Sequence, residues 1–315
     1  MPRVEATAPL LVDASTEVPI GSDQPAPCCT ARAHSATAAT TSSLRGTFEI
    51  LPPFGGRRDA AASATECYVV SPPTGRTVKG GVLVVHDIFG LHTGRHAQYC
   101  DELADEGWIV CMPDAFGDGR ARADAALLPR WPIKGACNIL ELLCCCKGGW
   151  MTKMMKMPWS DIEPRLFAAA ARASQLYAGA NVATRTTHSA MPLFAHGFCW
   201  GAWPVAQLLA NESTIYPVPQ TPDTTGPPPP SVCGGVCFHP SFQVGGDVAT
   251  LAAAVKLPLL LCPCGDDPVD VQAGGLVTQQ LEQAGRSDFK VHPFPDMLHG
   301  FMMRGPIDDG EIAKS

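Results

Sequence analysis

The stretch LFAHGFCWGAW, residues 193–203, joins an apolar run to a helical pattern through the pentapeptide GFCWG. A nucleophile elbow, the tight turn that presents a nucleophile between a strand and a helix, needs small residues two positions before and after the nucleophile, because side chains there would collide with neighbouring elements. Gly197 and Gly201 meet this requirement around Cys199. The N-terminus of the following helix favours a thiolate at this position. The alternative is a buried structural cysteine.

Short apolar runs before and after the elbow predict a parallel sheet. They are almost continuously apolar rather than alternating, which is typical of strands covered on both faces. Helical patterns lie between them, and the alternation predicts one doubly wound, mostly parallel α/β domain over residues 46–315, with helices on both faces of the sheet. The predicted strands lie within residues 80–87, 108–116, 191–198, 233–241, 257–267 and 289–296, and the predicted helices within 94–107, 202–211 and 274–285.

Three segments differ from this pattern. Residues 1–45 are rich in Ala, Thr, Ser and Pro without periodicity, and we interpret them as a disordered or loosely ordered arm. Residues 216–231, YPVPQTPDTTGPPPPS, are expected to form a surface loop, since proline repeats exclude helix interiors and central strands. The Met- and Cys-rich residues 142–159 suggest flexible apolar cover.

The composition limits the classes of partner. The 315 residues carry a net charge of −7 without a long Lys/Arg run, which disfavours nucleic acid and anionic membranes. No apolar run approaches the roughly 18 residues of a membrane span, and the first residues lack the pattern of a secretory signal. The fourteen cysteines, several of them adjacent, suit neither a disulfide framework nor a structural zinc site. We therefore expect a cytoplasmic protein with mostly reduced thiols.

Candidate partners for Cys199 follow it along the chain. A fold with such an elbow carries nucleophile, acid and histidine in that order, in loops past the carboxyl ends of strands. Asp267 follows an apolar run, and His299 lies in the later loop FPDMLHGF. His299 would act as base toward the thiol, and Asp267 would fix its tautomer. The rival acids are Asp266 and Asp270 and the rival histidine is His292, whereas His196 and His239 are expected to be hydrogen-bonded structural residues.

The loop after the predicted strand at 80–87 borders the same edge of the sheet. In VLVVHDIFGL, residues 82–91, the backbone N–H of Ile88 would be one oxyanion donor, and that of Trp200 the other. Asp87 stands at the end of this strand. It either borders the active site or only caps the following turn, and its position alone leaves both interpretations open.

Six motifs together resemble the dienelactone hydrolase family of α/β-hydrolases: HDIFGL, MPDAFGD, GFCWGA, FHPS, GDDPV and LHGFMMRG. The resemblance extends over about residues 80–305, and GFCWG is quite specific to the family. It implies an α/β-hydrolase fold with a Cys-His-Asp triad, carried over here by Cys199, His299 and Asp267. In the founding enzymes an acidic residue of an EIFG segment contacts the resting cysteine and helps to convert it to a thiolate. Asp87 takes the place of that glutamate, and its side chain is one methylene shorter.

The resemblance also implies a reaction and a substrate class. Bacterial members hold the substrate carboxylate with two arginines; Arg304 resembles one of them, and the candidates for the other are Arg120, Arg122 and Arg130. The implied reaction is hydrolysis of a small-molecule lactone or carboxylic ester through a thioester, with no cofactor and no metal, and we expect a monomer. The alternatives are a catalytically degenerate fold that acts as a scaffold, a thiol redox sensor, and acyl transfer or thioesterase activity on the same triad.

Overall fold

The computed structural model describes residues 44–53, 64–117, 156–180, 191–211 and 231–303. Almost all of the predicted N-terminal arm, nearly all of the proline-rich segment and most of residues 142–159 lie outside the described residues. Arg304 and the three other arginine candidates lie outside them too. None of the helices in the described ranges is both long and apolar enough to cross a membrane.

The described residues form one eight-stranded sheet in the order β1-β2-β4-β3-β5-β6-β7-β8. Strand β2 runs antiparallel to both of its neighbours, and every other adjacent pair is parallel. All six predicted strands are present and parallel, which confirms the mostly parallel sheet. The strands are β1 Thr47–Leu51, β2 Thr65–Val70, β3 Gly80–Val85, β4 Trp108–Pro113, β5 Pro192–Phe198, β6 Ser231–Phe238, β7 Leu259–Cys262 and β8 Phe289–Val291.

Helices cover both faces of this sheet. They are α1 His96–Asp105, α2 Trp159–Ala180, α3 Ala202–Ala210, α4 Val248–Ala254 and α5 Leu276–Gln283. Successive side chains of a strand point to opposite faces. Val82 and Val84 of β3 pack with α1, whereas Leu83 and Val85 belong to the core formed with α2 to α5. The sheet is thus doubly wound, as predicted.

The topology gathers several loops at the carboxyl edge of the sheet. Strand β5 lies between β3 and β6, and β7 and β8 follow on the side of β6. Because these strands are parallel and nearly in register, the residues just after each of them lie at one edge. In doubly wound sheets this edge is where ligands bind. The segments that meet there begin at His86, Cys199, His239, Pro263 and His292.

Candidate active site

Cys199 occupies a strained turn between β5 and α3. Its φ is +53°, a left-handed conformation that non-glycine residues rarely adopt, while the preceding Phe198 is extended. A single 3-10 turn, Cys199–Gly201, leads directly into α3. Strain of this kind is retained where the surrounding structure imposes it and clusters at functional sites. The strand–turn–helix predicted around Cys199 is therefore present.

The two glycines of the turn are required by close backbone contacts. A Cβ atom on Gly197 would lie 2.4 Å from the carbonyl oxygen of Gly201. A Cβ atom on Gly201 would lie 2.3 Å from the carbonyl oxygen of Val85, at the end of β3. Backbone atoms on neighbouring strands cannot move aside as a flexible side chain can. This confirms the steric reason for small residues on both sides of Cys199.

Gly201→Ala is expected to destabilise the protein, by about 1–3 kcal/mol or more, because the added methyl group overpacks the junction of β3 and the elbow. Gly179→Ala is the matched control. Gly179 is exposed near the end of α2 and has no neighbour within 4 Å of an added Cβ, so this change should be neutral or stabilise by about 0.4–1 kcal/mol. Urea unfolding measures both variants, and equal stability for the two would contradict the crowding.

His299 and Asp267 meet through a direct hydrogen bond between Nδ1 of the ring and Oδ1 of the carboxylate. The other oxygen, Oδ2, accepts the backbone N–H of Cys264 at 2.6 Å. The adjacent Asp266 does something different, since its Oδ1 accepts the backbone N–H of His299 at 2.7 Å. One aspartate therefore orients the imidazole ring, and its neighbour holds the loop that carries the ring.

The Cys199 sulfur is close enough to the imidazole of His299 to affect its pKa. Burial alone would lower the pKa of His299, but the neighbouring side chains of Cys199 and Asp267 raise it well above its usual value. Nδ1 is held by Asp267, and Nε2, the ring nitrogen left for the sulfur, is buried without a hydrogen-bond partner among the described residues. The structure thus brings Cys199, His299 and Asp267 together at the carboxyl edge of the sheet.

The other histidines near this edge have different surroundings. His292 is exposed and packs against Phe294. His196 is half-buried by its accessible surface and hydrogen-bonded to the Tyr99 hydroxyl at 2.7 Å; desolvation of its ring lowers the pKa of His196 to about 4, so the ring is neutral. This is the structural role predicted for His196. His239 is buried with its ring centre 4.8 Å from that of His299, and it also has a positive φ of +36°.

Asp87 caps the turn that follows β3. Its Oδ1 accepts the backbone N–H of Phe89 at 2.9 Å, and its backbone oxygen accepts the N–H of Gly90 at 3.1 Å. Its Oδ2 lies 3.9 Å from Nε2 of His96. These contacts fit the turn-capping interpretation of Asp87. An action of its carboxylate on Cys199 stays a prediction.

Two buried histidines hold the backbone of Asp87 from both sides. The N–H of Asp87 donates to Nε2 of His96 at 3.3 Å. On the other side, Nε2 of His86 accepts the N–H of Ala115 at 3.1 Å, so the ring proton is on Nδ1. That Nδ1–H donates to the carbonyl oxygen of Asp87 at 2.7 Å. Since this carbonyl and the N–H of Ile88 belong to one planar peptide, the contact also fixes the direction of that N–H.

Ser241 is a site residue that sequence reasoning missed. It follows β6, and its hydroxyl oxygen lies 3.6 Å from the sulfur of Cys199. Its backbone N–H donates to the carbonyl oxygen of Cys199 at 3.1 Å. The FHPS motif supported the family resemblance, but no role was assigned to its serine. The feature of the sequence that could have pointed to Ser241 was its position just after a strand that lies parallel to β5 and next to it.

The described residues contain no group of three or more His, Cys, Asp or Glu side chains that could hold a metal ion. The polar groups that converge on the elbow are a thiol, an imidazole, carboxylates and a hydroxyl. This set provides nucleophilic and acid–base chemistry.

The sheet and the elbow together form an α/β-hydrolase fold. Residues 65–218, which include the elbow, match the model of the dienelactone hydrolase family. A protein from Klebsiella pneumoniae assigned as a dienelactone hydrolase has the same fold, with 17% identity over 86% of this chain and 95% of that chain and a TM-score of 0.53.

Two further solved structures are similar, with lower TM-scores. The dienelactone hydrolase-like promiscuous phosphotriesterase P91 from metagenomic libraries is 17% identical over 84% of this chain and 87% of that chain, with a TM-score of 0.47. The dienelactone hydrolase from Anabaena variabilis is 15% identical over 85% and 93%, with a TM-score of 0.45. No curated protein matches the sequence.

Proposed function

We propose that this protein hydrolyses a lactone or a small carboxylic ester, with Cys199 as nucleophile, His299 as base and Asp267 as orienting acid. The observation that carries the proposal is the hydrogen bond between Asp267 and Nδ1 of His299, on a ring close enough to the sulfur at the elbow for Cys199 to raise its pKa. The match of residues 65–218 to the model of a hydrolase family supports it. The acid and the histidine lie beyond that match, so their roles rest on the geometry.

The reaction follows from the positions of the three groups. The thiol proton passes to Nε2 of His299, and the thiolate attacks the carbonyl carbon, whose π electrons move to oxygen. When the tetrahedral intermediate collapses, the ring oxygen or alcohol leaves with the proton from His299, and a thioester remains on Cys199. A water molecule then gives a proton to Nε2 and attacks the thioester. The thiolate leaves, and the carboxylic acid is released.

The proposed oxyanion donors are the backbone N–H groups of Ile88 and Trp200. Gly201 packs against the carbonyl oxygens of Val85 and His86, so the elbow and the loop after β3 are in direct contact. The hydrogen bond from His86 to the carbonyl of Asp87 holds the peptide that carries the N–H of Ile88. A donor fixed before the substrate binds stabilises the developing charge by about 2.7–4 kcal/mol.

The proposed substrate is a small activated molecule, and an enol lactone or a small aryl ester is the first to test. Such substrates have good leaving groups, which suit a thiolate nucleophile. Arg304, five positions after His299 in the sequence, is proposed to bind a substrate carboxylate, and Asp87 to assist conversion of Cys199 to a thiolate. We also propose that the protein acts as a monomer on small molecules.

The acyl-enzyme is the species that tests this function. The full chain is mixed with p-nitrophenyl acetate and with an enol lactone, the reaction is stopped in acid, and peptides are mapped by mass spectrometry. We expect a burst of p-nitrophenol and an acyl group on the peptide that contains Cys199. Acylation spread evenly over several cysteines, without turnover, would contradict the proposal and favour a scaffold protein.

A further inference from the structure

The sulfur of Cys199 has a second polar neighbour besides His299. Ser241 is buried, and its hydroxyl oxygen lies 3.6 Å from the sulfur, a hydrogen-bonding distance for this larger atom. The sulfur is therefore approached by the imidazole of His299 and by a hydroxyl group. The three-residue mechanism assigns no task to that hydroxyl.

The backbone holds Ser241 firmly against the elbow. The N–H of Ser241 donates to the carbonyl oxygen of Cys199 at 3.1 Å, so the main chains after β5 and β6 are joined at the nucleophile itself. Two residues earlier, His239 has a left-handed backbone conformation, with φ +36°. A non-glycine residue keeps such a conformation only where its surroundings impose it. The segment that places the hydroxyl is thus strained in the same way as the elbow.

We propose that Ser241 is a further catalytic residue, whose hydroxyl donates a hydrogen bond to the Cys199 sulfur whenever that sulfur carries negative charge. The proposal rests on the function proposed above and deepens it. It applies at two points: when the thiolate forms before attack, and when it leaves as the thioester is hydrolysed. No proton is transferred to or from Ser241, since the thiol proton goes to His299.

The charge on sulfur decides how much this hydroxyl contributes. A hydroxyl can rotate to donate or accept, so Ser241 can accept from the neutral thiol and donate to the thiolate. Hydrogen bonds to an ionised partner are roughly twice as strong as those between neutral groups. The contact therefore stabilises the thiolate more than the thiol. It weakens when the sulfur becomes part of a neutral thioester and is restored as the sulfur departs.

The test measures thiolate formation without requiring turnover. The full chain is alkylated with iodoacetamide at a series of pH values, and modification of the Cys199 peptide is followed by mass spectrometry. In Ser241→Ala we expect the acid-side midpoint of the pH–rate profile to move up by about one pH unit. Ser241→Thr, which keeps a hydroxyl, should restore the wild-type midpoint.

A structural role for Ser241 predicts a different result. Loss of packing alone would change stability and leave the midpoint in place, so an unchanged or lower midpoint in Ser241→Ala overturns the proposal. Ser174→Ala, which removes a buried hydroxyl on α2, is the matched control and should keep the wild-type midpoint. If the alanine variant does not fold, Ser241→Gly deletes the same hydroxyl and is judged by the same shift.

The failure of this proposal and the failure of the proposed function give different results. An acyl group on Cys199 combined with an unshifted midpoint in the serine variants refutes only the role of Ser241. A wild-type protein that is never acylated on Cys199 refutes the hydrolytic function. A second readout comes from deacylation: the acyl-enzyme of Ser241→Ala should decay about tenfold more slowly, because its leaving thiolate lacks the donor.

Discussion

Replacing Cys199 with alanine is expected to abolish hydrolysis of p-nitrophenyl acetate and of enol lactones. The loss should be on the order of 10⁴-fold or more, since without the sulfur no thioester can form and the imidazole has no nucleophile to activate. The initial burst should disappear together with steady-state turnover. Stopped-flow absorbance at the p-nitrophenol band measures both phases in one experiment.

The control for this variant has to show that the loss of activity is specific to Cys199 and does not follow from removing any other cysteine. Cys233 is a partly exposed cysteine near the amino-terminal end of β6, at the opposite edge of the sheet from the elbow. Cys233→Ala should keep the burst and the turnover. Cys199→Ser, which is closer in size, checks that the fold survives, because it should unfold at the wild-type urea concentration while remaining nearly inactive. Full activity in Cys199→Ala would refute the proposed function.

The parts of the fold that the sequence predicted are those with a strong local signal. The six parallel strands are short and nearly continuously apolar, because both of their faces are covered. Strand β1 is partly exposed at the edge of the sheet, and its pattern is weak. Helix α2 contains Pro164 and a run of alanines, which give little amphipathic contrast. Both elements, with β2 and the short α4, were not predicted.

Helix α4 shows that one missed element did carry a local signal. Asp247 precedes it, and its side chain accepts the backbone N–H groups of Ala249 and Thr250, as an N-terminal capping residue does. The helix has only seven residues, which is too few for a convincing hydrophobic period. Here the cap was a better indicator than the periodicity.

The candidate site was predictable in its order along the chain but not in its contacts. The spacing of strands and loops singled out Cys199, His299 and one of three aspartates. The difference between Asp266 and Asp267 depends on the turn after β7, which directs one carboxylate to the ring of His299 and the other to its backbone N–H. Such a difference arises from local dihedral angles, and the two residues are alike in sequence.

Asp267→Asn is expected to lower turnover by about 10²–10⁴-fold by changing the tautomer of His299. Asp267 now accepts from both the Nδ1–H of His299 and the backbone N–H of Cys264. An asparagine has only one oxygen, and if that oxygen serves Cys264, its NH₂ group faces Nδ1. Nδ1 must then accept, the ring proton moves to Nε2, and Nε2 can no longer take the thiol proton.

The same substitution should move the alkaline limb of the pH–rate profile. The pKa of His299 is raised although burial opposes it, and the Asp267 carboxylate is one of the causes. Removing that negative charge lowers the pKa of His299, so the imidazolium beside the thiolate loses its proton at a lower pH. The alkaline limb of ester hydrolysis, which needs this imidazolium to protonate the leaving group, therefore shifts toward neutral pH. A purely structural role for Asp267 would leave this limb in place.

The neighbouring aspartates provide matched controls for this change. An asparagine at position 266 can still accept the backbone N–H of His299 through its oxygen, so Asp266→Asn should lose less than about tenfold. Asp270→Asn alters the same loop further from the ring and should leave turnover unchanged. In a Cys199→Ala background Asp267→Asn should cause no further loss, because groups that act as one catalytic unit are not additive. If Asp270→Asn were as damaging as Asp267→Asn, the role of Asp267 as the orienting acid would be wrong.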